Sequence, residues 1–212
     1  MRAPLPPLGC GLVAVLLACA LLTVAGWAGA QPPAAAAPGG ISAAAGEVLS
    51  VDVLVYGSEP EAIAAAVAAA EEGARTLLVT PAARLGGLFV LGELNMLDLR
   101  TQPFNYQRGL FDRWWRRVGH DEAFDVPRAE RAFEELLHAA GVAVWREVGP
   151  VTPLLRGRDL VGVRLEALDV EVRAAQVIDG SADADLAAAA GAPFDLGFER
   201  FGVHQRMADT LV

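Results

Sequence analysis

The amino-acid sequence predicts an α/β fold in which helices pack on a parallel sheet and a small β-meander follows. An apolar run over residues 51–56 ends at Gly57, and an alanine-rich pattern of helical period begins directly after that glycine. A second apolar run, over residues 75–79, follows the helix, which is the order of a β-α-β unit with parallel strands. The glycine turn and the unit around it are typical of a Rossmann-like, dinucleotide-binding domain.

The other elements follow from turn residues and helical spacing. Gly73 is expected to close the first helix near Glu72, and Gly141 is expected to close a later helix that starts at Pro127. Residues 88–106 show no clear period. The predicted order is a strand at 51–56, a helix to 72, a strand at 75–79, a turn at 81–87, helices at 109–118 and 127–141, a meander of strands at 142–145, 160–165 and 170–178, a turn at 179–185 and a helix at 186–190.

Composition excludes several classes of function. The 212 residues suffice for one domain, and a net charge of −9 argues against a nucleic-acid partner, which would require clustered positive charge. We interpret the arginines at 113, 116 and 117 as the exposed face of an amphipathic helix, the alternative being a stacking patch with Trp114 and Trp115. The absence of lysine excludes Schiff-base chemistry. His120, His138 and His204 lack ligand spacing, so no metal site is expected.

Residues 1–30 are predicted to be a secretory signal peptide. Arg2 is followed by an apolar run over residues 11–25 and by a small-x-small cleavage site ending at Ala30. The alternative is an uncleaved membrane anchor, although the run is shorter than the ~20 residues of a membrane span. We therefore expect an exported protein, periplasmic or extracellular, that contacts a membrane only through this segment if it is uncleaved. Residues 31–47 are predicted to be a disordered Ala/Pro/Gly linker before a domain at 48–212.

Three turns stand at the ends of three apolar strands, at residues 57–62, 80–87 and 179–185. In a doubly wound sheet such strand ends line one crevice, where ligands bind. The first turn departs from the usual glycine pattern, because Glu59 and Ala62 follow Gly57 at the second and third motif positions. Alanine is tolerated at the third position, but glutamate is not standard at the second.

The order of these turns resembles that of the FAD-dependent oxidoreductases with a two-dinucleotide-binding-domain fold. The resemblance is to a bacterial branch with a Gly-Gly-Thr-Pro-Ala-Gly-Ile turn, a Leu-Gly-Gly turn and a late Ile-Asp-Ala-Thr-Gly-Asp-Gly-Asp-Leu segment. The matching stretches here are Gly-Ser-Glu-Pro-Glu-Ala-Ile at 57–63, Leu-Gly-Gly at 85–87 and Ile-Asp-Gly-Ser-Ala-Asp-Ala-Asp-Leu at 178–186. The resemblance covers about residues 50–212.

The resemblance implies FAD as cofactor and assigns positions along it. The first turn would hold the pyrophosphate, and the end of the second strand would bind the ribose. The two later turns would lie along the rest of the cofactor. The catalytic residues stay unknown, and we name none. Arg84 could instead be a solvated loop arginine, and Asp183 could instead cap a helix. The implied cofactor-binding residues are Gly57, Ser58, Glu59, Pro60, Ala62, Thr80, Arg84, Gly86, Gly87, Ser181 and Asp183.

Two of these positions predict that FAD binding is weak or absent. Thr80 stands where the family has an acidic residue for the ribose hydroxyls, which removes about 1.5–3 kcal/mol of charged hydrogen bonding. A Glu59 carboxylate about 6 Å from a phosphate would cost roughly 3 kcal/mol.

Since no Arg-Arg pair precedes the apolar run, we expect unfolded, Sec-type export and a mature chain without FAD outside the inner membrane.

Three functions remain open from the sequence. The leading one is an FAD-dependent oxidoreductase acting on an unknown small-molecule substrate. The alternatives are a non-catalytic relic of the fold and an NADP-type binding module that uses Thr80 and Arg84. The segment from Arg206 to Val212 resembles the entry to the family's substrate domain. We therefore expect that domain to be missing and the chain to be a fragment or a truncated product.

Overall fold

The computed structural model describes residues 40–97, 108–120 and 123–194. The predicted signal peptide, residues 31–39 of the linker, His204 and the segment from Arg206 lie outside the described residues. Among the described helices, none has the length and apolar character needed to cross a membrane.

A β-α-β unit opens the fold, as predicted. Strand β1 (Val48–Tyr56) leads through a turn to helix α1 (Pro60–Glu71), and strand β2 (Thr76–Val79) pairs with β1 in parallel. Gly73 follows the helix with φ +87°, and its amide donates to the carbonyl of Ala70 at 2.9 Å. This left-handed glycine closes the helix, which confirms the predicted end.

The helical part lies between β2 and the next strand of the sheet. Its bounds are α2 (Gly87–Val90), α3 (Gly109–Val118), a hairpin of β3 (Gly119–His120) and β4 (Ala123–Phe124), and α4 (Val126–Ala140). Helix α4 begins where the Asp125 carboxylate accepts the amide of Arg128 at 2.8 Å, and it ends at Gly141 with φ +77°. Helix α2 was not predicted, because four residues are too few to show a helical period.

A single six-stranded sheet contains both the parallel strands and the meander. The remaining strands are β5 (Ala143–Trp145), β6 (Val151–Arg156), β7 (Asp159–Leu165) and β8 (Val170–Asp179), followed by α5 (Asp185–Ala189). The strand order is β5-β2-β1-β8-β7-β6. Strand β8 pairs with β1 in parallel and with β7 in antiparallel orientation, so it joins the two halves.

The meander differs from the prediction in two strands. Residues 142–145 were assigned to it, but β5 pairs in parallel with β2 at the opposite edge. The meander consists instead of β6, β7 and β8, and β6 was not predicted. Pro153 weakens its strand pattern, and the sheet tolerates this proline because β6 is an edge strand.

Two apolar clusters cover the two faces of the sheet. On one face, Val55 and Leu78 pack with α1 and α4 and with the buried Trp114, whose ring stacks on Phe133 at 4.8 Å. On the other face, Leu54 and Leu77 pack with residues of β7, β8 and α5.

The segment before β1 contributes to the second face. Ile41 is only 3% exposed, and its carbonyl accepts the indole N–H of Trp145 at 3.4 Å. The structure therefore places Ile41, from the end of the predicted linker, against the sheet. Ile41 is a single apolar residue in a small-residue context, which is why composition did not reveal its burial.

Helix α3 presents its arginines to solvent, which confirms the amphipathic interpretation. Arg113 pairs with Glu71 of α1 at 2.7 Å, and Arg116 pairs with Asp112 one turn earlier at 2.8 Å. Trp114 points inward and is 1% exposed. The alternative of a stacking patch fails for Trp114, because its ring is already enclosed.

Candidate functional site

Three predicted turns lie side by side at the carboxyl ends of their strands. Strands β1, β2 and β8 are parallel neighbours, and Tyr56 at the end of β1 lies opposite Val79 of β2 and Asp179 of β8. The turns that follow these strands are therefore adjacent. We call the region formed by residues 57–59, 80–87 and 180–185 the strand-end site.

The first and third turns of this site contact each other through glycines. Gly57 has φ +133°, and a Cβ added to it would lie 2.5 Å from the carbonyl oxygen of Gly180. A Cβ on Gly180 would lie 2.7 Å from the Cα of the buried Ala62 in α1. Small residues are thus required here by contacts within the protein, before any ligand is considered.

The first and second turns are joined by the backbone. The amide of Gly86 donates to the carbonyl of Ser58 at 2.7 Å, and Gly86 itself adopts φ +112°. Pro60 occupies the first position of α1, where its missing amide costs no hydrogen bond. The backbone therefore brings Ser58 and Gly86, two of the predicted residues, into direct contact.

The Glu59 side chain crosses from the first turn to the second. Its carboxylate accepts the amide of Leu88 at 3.2 Å, and the Ser58 hydroxyl donates to the same carboxylate at 3.5 Å. A Cβ on Gly87 would overlap this carboxylate. Glu59 precedes α1 but makes no capping bond to that helix, so its charge is directed to the start of α2 instead.

Thr80 is fully buried in the structure. Its hydroxyl accepts the amide of Ala82 at 3.1 Å, and its own amide donates to the carbonyl of Trp145 at 2.9 Å. The hydroxyl predicted to face a ribose is thus engaged in the turn that it belongs to.

Arg84 is committed to an ion pair. Its guanidinium donates through Nε and Nη2 to both carboxylate oxygens of Glu130 in α4, at 2.8 to 3.1 Å. The hydrogen bond to Glu130 raises the pKa of Arg84 above its usual range. Sequence reasoning left phosphate binding and a solvated loop as the alternatives, and it gave no signal for this pairing, because the two residues are far apart in the chain.

The third turn is organised by Asp179, which the sequence analysis did not single out. One oxygen accepts the Ser181 amide at 3.0 Å and the Ser181 hydroxyl at 2.6 Å, and the other accepts the Ala187 amide at 2.7 Å. An aspartate before Gly-Ser is a signal for an Asx-turn, which would have identified it. Asp183 is exposed and makes no hydrogen bond or ion pair within the described ranges.

The hydroxyl of Tyr56, at the end of β1 beside the strand-end site, has a raised pKa. Burial raises the pKa of its hydroxyl above the usual value of 10.0, and the carboxylates of Asp185 and Asp179 raise it further. Tyr56 is therefore neutral at physiological pH.

In this arrangement the side chains of the strand-end site disfavour the pyrophosphate and ribose of a dinucleotide, although its backbone suits them. The backbone is suitable, because a glycine turn leads into the N-terminus of a 12-residue helix. The side chains are not, since the Glu59 carboxylate fills the space over Gly87 and the Thr80 hydroxyl is enclosed. Negative charge beside a phosphate disfavours it.

The described chain also has a groove that lies away from the strand-end site. This groove of about 480 Å³ lies over β6 and β8, lined by Leu154, Arg156 and Arg173. It also touches Ser50 and Val51 in the first half of β1, away from the strand ends. No group of three or more His, Cys, Asp or Glu side chains suited to a metal ion occurs in the described residues.

A family comparison agrees with the order of the turns. Residues 52–211 match the family model of the FAD dependent oxidoreductases, which is about three quarters of the chain. The chain therefore belongs to the FAD-dependent oxidoreductase family, whose members bind FAD. The predicted family and the predicted α/β fold are both confirmed. No curated protein matches the chain.

Solved structures that are similar to this chain have low sequence identity to it. A geranylgeranyl bacteriochlorophyll reductase-like protein from Thermoplasma acidophilum is 20% identical with a TM-score of 0.43, over 64% of this chain and 40% of that one. The myxobacterial chondrochloren halogenase CndH, an FAD-dependent halogenase, is 21% identical with a TM-score of 0.40, over 64% and 38%. THI4 from Thermovibrio ammonificans is 16% identical with a TM-score of 0.45, over 84% and 67%. The chain thus spans about two fifths of the length of the first two.

Proposed function

We propose that this chain is the FAD-binding part of an oxidoreductase that acts on a small-molecule substrate, and that it binds FAD with only micromolar affinity. The family membership supports the cofactor, and one structural observation supports the location. The strand ends of β1, β2 and β8 place three turns side by side, with Gly57 against Gly180 and Ser58 bonded to Gly86.

The low affinity follows from two side chains of the strand-end site. Thr80 offers no exposed hydroxyl and no carboxylate for a ribose. Glu59 carries negative charge between the first two turns, where a phosphate would meet it. The roughly 3 kcal/mol cost of Glu59 and the about 1.5–3 kcal/mol missing at Thr80 together exceed the about 4 kcal/mol that separates nanomolar from micromolar affinity.

A titration of the full chain with FAD tests this proposal. We expect quenching of flavin fluorescence with a midpoint in the micromolar range, and a rise in the thermal midpoint at saturating FAD. NADPH is titrated in parallel, because an NADP-type module would prefer NADPH to FAD. A chain that is folded by circular dichroism, yet is neither stabilised nor saturated by FAD, would be a non-catalytic relic and would refute the proposal.

A further inference from the structure

The Glu59 carboxylate already has a binding partner inside the strand-end site. It accepts the Leu88 amide at 3.2 Å, although the two residues lie 29 positions apart. Gly87 permits this approach, because any side chain there would overlap the carboxylate. Glu59 is half-buried, whereas Glu61, two residues further on in α1, is exposed.

The contact uses the groups that an anionic ligand would use. A backbone amide can donate to an anion, and here a carboxylate of this chain accepts the amide of Leu88. An internal anion therefore occupies the Leu88 amide and the space over Gly87.

We propose that Glu59 is an intramolecular latch that occupies the anion position between the first two turns, so that a dinucleotide binds only after this side chain swings away from Leu88. The inference rests on the proposed function and adds to it the residue that sets its affinity. The latch is the contact between the Glu59 carboxylate and the Leu88 amide.

Three variants of the full chain test the latch with FAD as the probe. Glu59→Gln keeps the shape and removes the charge, and Glu59→Gly removes both. Glu61→Gln removes one charge from the same end of α1 without touching the second turn, and serves as the matched control. We expect FAD to bind roughly 10-fold more tightly to Glu59→Gln and up to about 100-fold more tightly to Glu59→Gly. Glu61→Gln should stay within about threefold of the parent.

Equal affinity of the parent and Glu59→Gly would overturn the latch while leaving FAD binding in place. A gain in Glu61→Gln as large as that in Glu59→Gln would also overturn it, because general charge would then be the cause. If no folded variant binds FAD, the proposed function fails, and the latch is judged on hydrogen exchange alone.

The hydrogen-exchange rate of the Leu88 amide measures the contact between Glu59 and Leu88 without any cofactor. We expect this amide to exchange about 10-fold faster in Glu59→Gly than in the parent, because the acceptor is gone. In Glu61→Gln its rate should be that of the parent. An unchanged Leu88 rate in Glu59→Gly shows that the contact does not form, and refutes the proposal.

Discussion

The first and third turns of the strand-end site touch each other but use their carboxylates in opposite ways. Asp179 folds back on its own turn and accepts three hydrogen bonds from Ser181 and Ala187, all within eight residues. Glu59 leaves its turn and accepts one amide 29 residues away. A local network stabilises one turn, whereas a long-range contact controls the relation between two turns. We expect Asp179 to determine stability and Glu59 to determine access.

The glycine contact that joins the two turns should show the largest effect. Gly57→Ala places a methyl group 2.5 Å from the Gly180 carbonyl and forces alanine to φ +133°. Strain and overpacking together should lower the free energy of unfolding by roughly 3–5 kcal/mol. Urea unfolding followed by circular dichroism measures this loss.

A glycine without neighbours provides the control for that substitution. Gly157 has φ +67° and nothing within 4 Å of an added Cβ, so Gly157→Ala should cost only the backbone strain, about 1 kcal/mol. Equal losses in the two variants would show that the two turns do not pack as described.

Asp179 should show the next largest effect. Asp179→Asn leaves one acceptor oxygen and turns an amide group toward donors, which should lower the free energy of unfolding by about 2 kcal/mol. The control is Asp183→Asn in the same turn, which should change stability by less than about 0.5 kcal/mol because Asp183 is exposed. The comparison between the turns fails if Asp179→Asn has no more effect than Glu59→Gln.

Tyr56 should show the smallest effect, and only at alkaline pH. Its pKa in the folded chain is raised by burial and by Asp185 and Asp179, so the folded state holds this proton after the unfolded state has lost it. The contribution is complete below about pH 10 and is lost as pH rises through the folded pKa. Unfolding free energies should therefore fall above about pH 10.

The absence of lysine makes this measurement specific. The chain has two tyrosines, so Tyr56→Phe should flatten the decline by removing one of two phenols. Asp185→Asn should make the decline smaller and end it at a lower pH, because one of the charges that raise the folded pKa is gone. An identical slope in the parent and in Tyr56→Phe would show that Tyr56 is unperturbed.

The sequence by itself determined the order of elements and the turns that carry the site. The glycines at 57, 73 and 141 each stand where a strand or helix ends, and the structure gives all three positive φ. Apolar runs of strand length predicted β1, β2, β7 and β8. These features depend on neighbours in the chain, so local sequence is sufficient to reveal them.

Only the tertiary structure decided which strands and side chains are neighbours. Residues 143–145 read as a strand, but packing of α4 on the sheet, not their sequence, makes them a neighbour of β2. The pairing of Arg84 with Glu130, the burial of Thr80 and the direction of Glu59 toward Leu88 join residues that are separated by many positions or by a turn of the backbone. Such contacts depend on the folded geometry, because a charged or polar side chain takes whichever partner the packing of the apolar core brings within reach.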